Sequence, residues 1–217
     1  MPFLKSKIRF VILSSFVLLG FLVQAQHNGF KNEVYIGVNA GMNGSMVYFK
    51  PDVPQGYLVG RQGGLVFRYI NEKNVGLQAE INYSERGWSE INNSFDKRLN
   101  YIEVPFLTHL YFGNNVRFFF NLGPKFSYLI SEKTLLNTNP SSTQEQHIQD
   151  VQNKFDYGLA AGIGCMFKIK KQVFQLESRG NISANNIFSN NIKDYFDNSH
   201  LIHASITIGW LMSLNNK

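Results

Sequence analysis

The residues best suited to catalysis are a histidine and a serine near the end of the chain. His203 and Ser205 are two positions apart, so an extended strand would place both side chains on one face. A serine hydrolase needs a serine, a histidine and an acid joined in a hydrogen-bonded chain. This pair is the best hydrolase candidate in the sequence. The alternative, which we favour, is that both are polar residues satisfied inside the fold.

Another histidine, His109, belongs to the stretch Asn100–Phe112, "NYIEVPFLTHLYF". Glu103 is six residues away on the same strand, about 20 Å by strand rise, so the two cannot bond directly. The sequence has no phosphate-binding loop and no dinucleotide fingerprint. We therefore expect no catalytic residue, no cofactor and no metal. Of the scattered histidines, only the last two approach metal-ligand spacing: His27, His109, His147, His200 and His203.

The first 25 residues predict a secretory signal peptide. Lys5, Lys7 and Arg9 precede an apolar run over 10–23, and small residues at Val23 and Ala25 predict cleavage before Gln26. The run is shorter than the roughly 20 residues of a membrane-spanning helix, which makes an uncleaved anchor the weaker reading. The predicted organisation is a signal peptide at 1–25 and one domain at 26–217.

The charge of the chain argues against a nucleic-acid partner. The whole sequence has 21 basic and 15 acidic residues, a formal charge of +6. Removal of the predicted signal peptide takes away three basic residues and leaves +3. The remaining chain has no basic run interleaved with aromatics. Cys165 is the only cysteine, so no intrachain disulfide can form.

Strict alternation of apolar and polar residues predicts eight strands. Three of their connections are short, at 71–74, 113–115 and 170–172, and four are long, at about 47–57, 88–98, 131–153 and 185–198. Short turns at one end and long loops at the other are typical of an all-β, antiparallel up-and-down transmembrane barrel with periplasmic turns and extracellular loops. The predicted strands are about 34–43, 58–70, 75–87, 100–112, 116–130, 154–168, 173–183 and 200–212.

Three features favour a membrane barrel over a soluble, lipocalin-like one. Several strands exceed the five or six residues usual in soluble proteins. The polar face of 154–168 carries small residues, which suit the crowded interior of a small barrel better than a solvated exterior. Aromatic residues cluster towards both ends of the apolar face, as in the girdles of membrane barrels.

The polar face therefore predicts an interior network of charges of both signs, which a buried site tolerates only when they are paired. Its role would be structural, fixing the register and filling the interior. Pro105 should mark a bulge or an irregular edge because it cannot donate a ladder hydrogen bond. The predicted network comprises Arg68, Glu80, Glu103, Arg117, Lys125, Glu177 and Arg179.

Four segments together resemble the PorT-like outer-membrane β-barrel family. They are "VGLQAEINYSERG" (75–87), "LNYIEVPFLTHLYF" (99–112), "FFFNLGPKFSYLIS" (118–131) and "FDYGLAAGIGCMFKI" (155–169). The resemblance implies an eight-stranded barrel with a signal peptide in a Gram-negative outer membrane. The founding member of that family is linked to secretion of proteins to the cell surface. Such barrels often end on an aromatic residue, whereas a polar tail follows Trp210 here.

The sequence thus predicts an integral outer-membrane barrel without catalytic activity, acting in envelope architecture or as an accessory to surface protein export. A small porin or transporter, a lipid-modifying enzyme and a soluble carrier are the alternatives. Expected partners are outer-membrane lipid, the barrel-insertion machinery and envelope or secretion-system proteins. Aromatic residues of the long loops are candidate contacts: Tyr48, Phe188, Tyr195 and Phe196.

Overall fold

The computed structural model of the chain describes residues 31–50, 54–90, 95–136, 150–188 and 198–215. The chain divides into two units, Met1–Lys31 and Asn32–Lys217, and all the elements below belong to the second. The predicted signal peptide lies outside the described residues, as do Tyr195 and Phe196. No helix within the described ranges is long and apolar enough to cross a membrane.

The described residues form eight long strands and one strand of two residues. The short strand, β2 (Gln55–Gly56), pairs with the end of β4. The long strands are β1 (Glu33–Lys50), β3 (Leu58–Glu72), β4 (Val75–Glu90), β5 (Phe95–Gly113), β6 (Val116–Leu136), β7 (Phe155–Ile169), β8 (Gln172–Asn186) and β9 (Asn198–Ser213).

The long strands close into a barrel. Each pairs antiparallel with the long strand before and after it along the chain. The first strand also pairs with the last, from Tyr35↔Ser213 to Lys50↔Asn198. The predicted eight-stranded up-and-down barrel is therefore confirmed. Closure leaves no free edge around the barrel wall, which a sheet surrounded by lipid requires.

The strand register gives the tilt of the strands. One row of paired residues leaves β6 at Phe118 and returns to it at Tyr128, 10 residues further on. A stagger of this size over eight strands corresponds to a tilt of about 40°, so each residue rises about 2.5 Å along the barrel axis. An apolar band of about 25 Å thus needs about ten residues per strand. The 19 residues of β5 and 21 of β6 extend well beyond it.

The two faces of the wall differ in character, as the alternation predicts. Large apolar side chains point outwards and are exposed, for example Leu77, Phe118 and Ile163, whereas polar side chains point inwards and are buried. Many of the exposed aromatic residues lie towards the two ends of this apolar band. Those near the turns are Phe112, Phe118, Phe167, Phe174 and Trp210, and those near the loops are Tyr83, Tyr128 and Tyr157.

Several strands extend into segments predicted as loops, which corrects the boundaries. β4 runs to Glu90 and β5 begins at Phe95, so most of the segment 88–98 is paired sheet; β6 continues to Leu136, inside the segment predicted as a loop from 131. Beyond the apolar band these strands keep their alternation but reverse it. Polar residues such as Arg98 point outwards and apolar ones such as Leu99 inwards, so the pattern no longer indicates a membrane strand.

Of the two alternatives predicted for Pro105, the bulge is wrong, whereas an irregular ladder is found on the side of β4. The pairing of β5 with β6 keeps one register from Tyr101 past Pro105, and the shift lies between Asn100 and Tyr101. The ladder to β4 does skip Val104 and Pro105, however, as expected for a residue without an amide hydrogen.

Candidate functional site

The interior of the barrel is a stack of polar clusters, and the cluster nearest the turns is centred on Glu33. Arg117 binds this carboxylate through both of its terminal nitrogens, at 2.8 and 3.1 Å, and Lys168 Nζ is 2.9 Å away. The guanidinium of Arg117 also stacks on Tyr111, 4.5 Å from the ring centre. These contacts tie the start of β1 to β6 and β7 across the lower opening.

Arg68 and His109 lie just above and are buried without direct carboxylate partners. Arg68 Nε donates to Gln78 Oε1 at 2.7 Å and Arg68 Nη2 to Gln175 Oε1 at 2.5 Å. His109 Nδ1 is 2.7 Å from Asn121 Oδ1, while its Nε2 has no hydrogen-bond partner among the described residues. Amide side chains thus bind Arg68 and one ring nitrogen of His109 at this level of the interior.

The middle cluster joins Glu80 and Glu177 through one arginine. Arg179 forms paired hydrogen bonds with Glu80 at 2.6 and 2.9 Å, and two further bonds of 2.9 Å with Glu177. Two-point arginine–carboxylate contacts are strong and directional. They connect β4 with β8 on the other side of the barrel. Gly162 makes this possible, because a Cβ there would lie 2.4 Å from Glu177 Oε1.

The upper cluster holds two carboxylates and two cations. Lys125 Nζ lies 3.0 Å from Asp156 Oδ2 and 3.8 Å from Glu103 Oε2. Arg86 forms an ion pair with Glu103 and lies 3.6 Å from Asp156 Oδ2. All four side chains are buried, and their formal charges cancel. The geometry is that of a closed ion network, in which each charge has an opposite neighbour.

An apolar cluster fills the mouth of the barrel above these ions. Phe49 and Trp88 meet edge to face with their ring centres 5.5 Å apart, and Phe188 lies 6.3 Å from each ring. We call this group the mouth cluster. Its members are Val47, Phe49, Trp88, Phe95, Leu99, Tyr101, Leu129, Val151, Ile187, Phe188 and Leu201.

The structure distributes the predicted network over several levels. Glu80, Glu177 and Arg179 meet in the middle cluster, and Glu103 and Lys125 in the upper one, whereas Arg68 and Arg117 bind elsewhere. Sequence reasoning missed Glu33, Arg86 and Asp156. Arg86 could have been predicted from the alternation along β4. It continues the series of inward-pointing residues at every second position, Gln78, Glu80, Asn82 and Ser84.

The hydrolase pair does not form a catalytic chain. Ser205 Oγ donates to the carbonyl of Arg179 at 3.4 Å, and neither ring nitrogen of His203 has a hydrogen-bond partner among the described residues. The nearest carboxylate oxygen, Glu103 Oε2, is 4.0 Å from His203 Nε2. Within the described ranges, no three His, Cys, Asp or Glu residues are placed to hold a metal ion.

The predicted loop contacts occupy two different environments. Tyr48 points outwards from β1 and is 54% exposed. Phe188 is buried in the mouth cluster, where its backbone amide donates to Ser199 Oγ at 3.1 Å. Its ring is therefore not on the rim where the sequence placed it. The composition of the loop could not reveal this, because burial depends on which segment folds into the mouth.

A closed barrel with an apolar exterior and a polar interior defines a class of membrane-spanning protein. Residues 24–189 match the family model described as outer membrane protein beta-barrel domain. The chain belongs to this family and is an outer-membrane β-barrel protein. No curated protein sequence matches it.

Solved structures of small outer-membrane barrels are similar to this fold. The outer membrane protein OprG from Pseudomonas aeruginosa has a TM-score of 0.52 and 11% identity, over 85% of this chain and 97% of that one. Neisserial surface protein A has a TM-score of 0.46 and 13% identity, over 84% and 99%. Ail of Yersinia pestis has 0.43 and 15%, over 83% and 99%. At these identities the likeness to OprG concerns the fold alone.

Proposed function

We propose that this protein is a closed, non-catalytic barrel that serves the architecture of the outer membrane and holds a rigid β-sheet above it. In this role it acts as a structural element of the envelope or as an accessory to surface protein export. The sheet above the membrane would be the part that meets other envelope or secretion-system proteins. The resemblance to PorT-like barrels supports the export variant.

The observation that carries this proposal is that water does not reach the charged side chains of the interior. Side chains that line a continuous water-filled channel would remain in contact with water. Arg68 in the lower interior, and Arg86 and Lys125 in the upper cluster, are each 0% exposed. The mouth cluster adds an apolar layer between the ions and the outside. Both features favour a closed barrel over the porin alternative.

The part above the membrane also favours a scaffold. The outward face of β4 and β5 there carries Glu85 and Arg98, joined by an ion pair of 2.9 Å. Asn100 donates to Ser131 Oγ at 2.8 Å on the same face, linking β5 to β6. A paired sheet with a polar outer face offers a fixed surface to a protein partner at little ordering cost. We call these extended parts of β4, β5 and β6, at 85–90, 95–100 and 131–136, the projection.

The absence of conductance is the first test. The purified protein, inserted into planar lipid bilayers, should show no current steps above background, because ions cannot pass the buried clusters. The Glu103→Ala variant, in which the upper cluster loses one of its carboxylates, shows how much current passes when that cluster is disrupted. Steady large-conductance steps from the wild-type protein would refute the closed-barrel proposal.

Crosslinking in intact cells tests the scaffold role. A photoreactive residue at Lys133, on the outward side of the projection, should capture envelope proteins. The same residue at Phe106, on the outward face within the apolar band, should capture chiefly lipid. If Lys133 and Phe106 give the same products, the projection is not a protein-binding surface.

A further inference from the structure

A groove crosses the outer surface of the barrel over β1, β3, β8 and β9. It encloses about 630 Å³. Its floor is made of small residues, Gly44, Ser178 and Ala204, and its sides of larger ones such as Met42 and Ile206. The register places two of the floor residues side by side, since Ala204 pairs with Gly44. The groove therefore lies within the wall that faces lipid.

Packing within the barrel does not require this groove. A Cβ at Gly44 would meet no atom within 4 Å, so a larger residue would fit there without disturbing the wall. Gly41, three residues earlier and facing inwards, is different, because a Cβ there would lie 2.0 Å from the carbonyl oxygen of Ile206. The interior thus dictates glycine at Gly41, whereas at Gly44 the open space is on the outside.

An unpaired arginine lies beside the groove. Arg61 of β3 pairs in register with Met42 and points outwards between Val59 and Gly63. Its side chain is exposed and makes no hydrogen bond or ion pair with any described residue. Arg98, by contrast, has Glu85 as its partner on the same outer face. A guanidinium on a lipid-facing wall needs an anion or water, so Arg61 lacks the partner that its position calls for.

The height of Arg61 identifies the source of that anion. From the strand tilt, Arg61 lies about 20 Å above Phe118 in an apolar band of about 25 Å, so its flexible side chain reaches the outer interface. The floor of the groove extends from this level towards the centre of the membrane. Gly44 and Ala204 lie at about the level of Arg61, and Ser178 lies about 10 Å nearer the centre of the membrane. An amphiphile in the outer leaflet would therefore have its headgroup beside Arg61, the start of an acyl chain over Gly44 and Ala204, and the rest of that chain over Ser178.

We propose that the groove and Arg61 form a binding site for a phosphorylated, acylated lipid of the outer leaflet, namely the lipid A part of lipopolysaccharide. One acyl chain lies over Gly44, Ala204 and Ser178, and a phosphate accepts hydrogen bonds from Arg61. Arginine is well suited to this contact, because its planar fork matches phosphate oxygens. This site is independent of the proposed scaffold role.

Native mass spectrometry of the detergent-solubilised protein with diphosphorylated lipid A tests the proposal. The wild-type protein should retain one lipid A per chain. Arg61→Gln should weaken the affinity about tenfold through loss of a charge-assisted bond to phosphate. Gly44→Leu should weaken it at least as much, because the new side chain fills the groove. Arg61→Lys should restore part of the affinity.

Two matched variants control for charge and bulk. Lys73→Gln removes an exposed cation from a turn at the other end of the barrel, and Ala79→Leu adds the same kind of bulk to the outward face of β4. Both should bind lipid A as the wild-type protein does. The difference in gel mobility between heated and unheated samples shows that each variant is folded.

Four results of the binding measurements would overturn the proposal. They are absence of bound lipid A on the wild-type protein, unchanged binding by folded Gly44→Leu, equal losses in Arg61→Gln and Lys73→Gln, and equally tight binding of dephosphorylated lipid A or phosphatidylglycerol. A dimer that forms through this face and excludes lipid A would also overturn it. None of these outcomes affects the conductance test of the closed barrel.

Discussion

The part of the barrel within the membrane and the projection above it are made from the same strands with opposite polarity. Along β5, Phe106 and Ile102 point outwards within the membrane and Glu103 inwards. A few residues further up, Arg98 points outwards, and Leu99 and Phe95 inwards. Period-two alternation continues through both regions. The solvent around the wall decides which of its two faces is apolar.

The energetic demands of the two regions differ accordingly. Within the membrane, the apolar face is covered by acyl chains and the polar face is shut inside, where unpaired charges are costly. The ion clusters meet this demand by pairing. In the projection the outside is water, so the strands bury a conventional apolar core. The mouth cluster thus stabilises the projection and also separates the upper ions from water.

The largest expected effect comes from breaking an interior ion cluster. Glu103→Ala leaves Arg86 and Lys125 with only one carboxylate between them, and should destabilise the protein by about 3–5 kcal/mol. Glu85→Ala, which removes an ion-pair partner from the outer face of the projection, should cost less than about 1 kcal/mol. Urea-induced unfolding in lipid vesicles measures both. Equal costs would mean that the two environments do not differ.

Truncation in the mouth cluster should have a large but local effect. Leu99→Ala should cost the projection about 2–5 kcal/mol, because Leu99 is fully buried and its removal leaves a cavity. Amide hydrogen exchange should accelerate in 95–101 and 129–136 but not in the membrane part of the same strands. Lys133→Ala, at an exposed outward position of β6, is the control and should leave exchange nearly unchanged. Uniform acceleration along β5 would show that the two regions unfold as one.

A charge placed on the outward face should distinguish the two regions by depth. Leu122→Arg, near the middle of the apolar band, should cost about 2–4 kcal/mol. The reverse exchange in the projection, Lys133→Leu, should change stability by no more than about 0.5 kcal/mol, because it affects a solvated position. Folding yields into vesicles and unfolding midpoints report both. A tolerated Leu122→Arg would place that face in water.

Much of the barrel could be predicted from local pattern alone. Each strand such as 154–168 carries its own alternation, and the short turns fix which strands are neighbours. The upper ends of β4, β5 and β6 could not be predicted in the same way. Their reversed polarity, with Arg98 and Lys133 outside, looks like a polar loop when the membrane pattern is used as the template.

The interior clusters could not be predicted from alternation alone. The alternation along each strand identifies Glu103, Lys125 and Asp156 as inward-pointing. Which charges meet across the barrel depends on the 10-residue stagger of the closed sheet. Arg179 of β8 meets Glu80 of β4 across the barrel for that reason, although a sequence cannot show the stagger. The position of Phe188 depends likewise on a loop that folds into the mouth. The register between distant strands and the placement of the loops are therefore what the sequence pattern could not predict.

The reversal of polarity along one strand can be measured directly. Spin labels at the outward positions Arg98, Ile102, Phe106 and Leu110 of β5, in a Cys165→Ser background in vesicles, would be tested with a water-soluble nickel relaxant and with oxygen. We expect strong nickel access at position 98, and oxygen access without nickel access at 106 and 110. Strong nickel access at 106 or 110 would contradict it, because the apolar face would then lie in water.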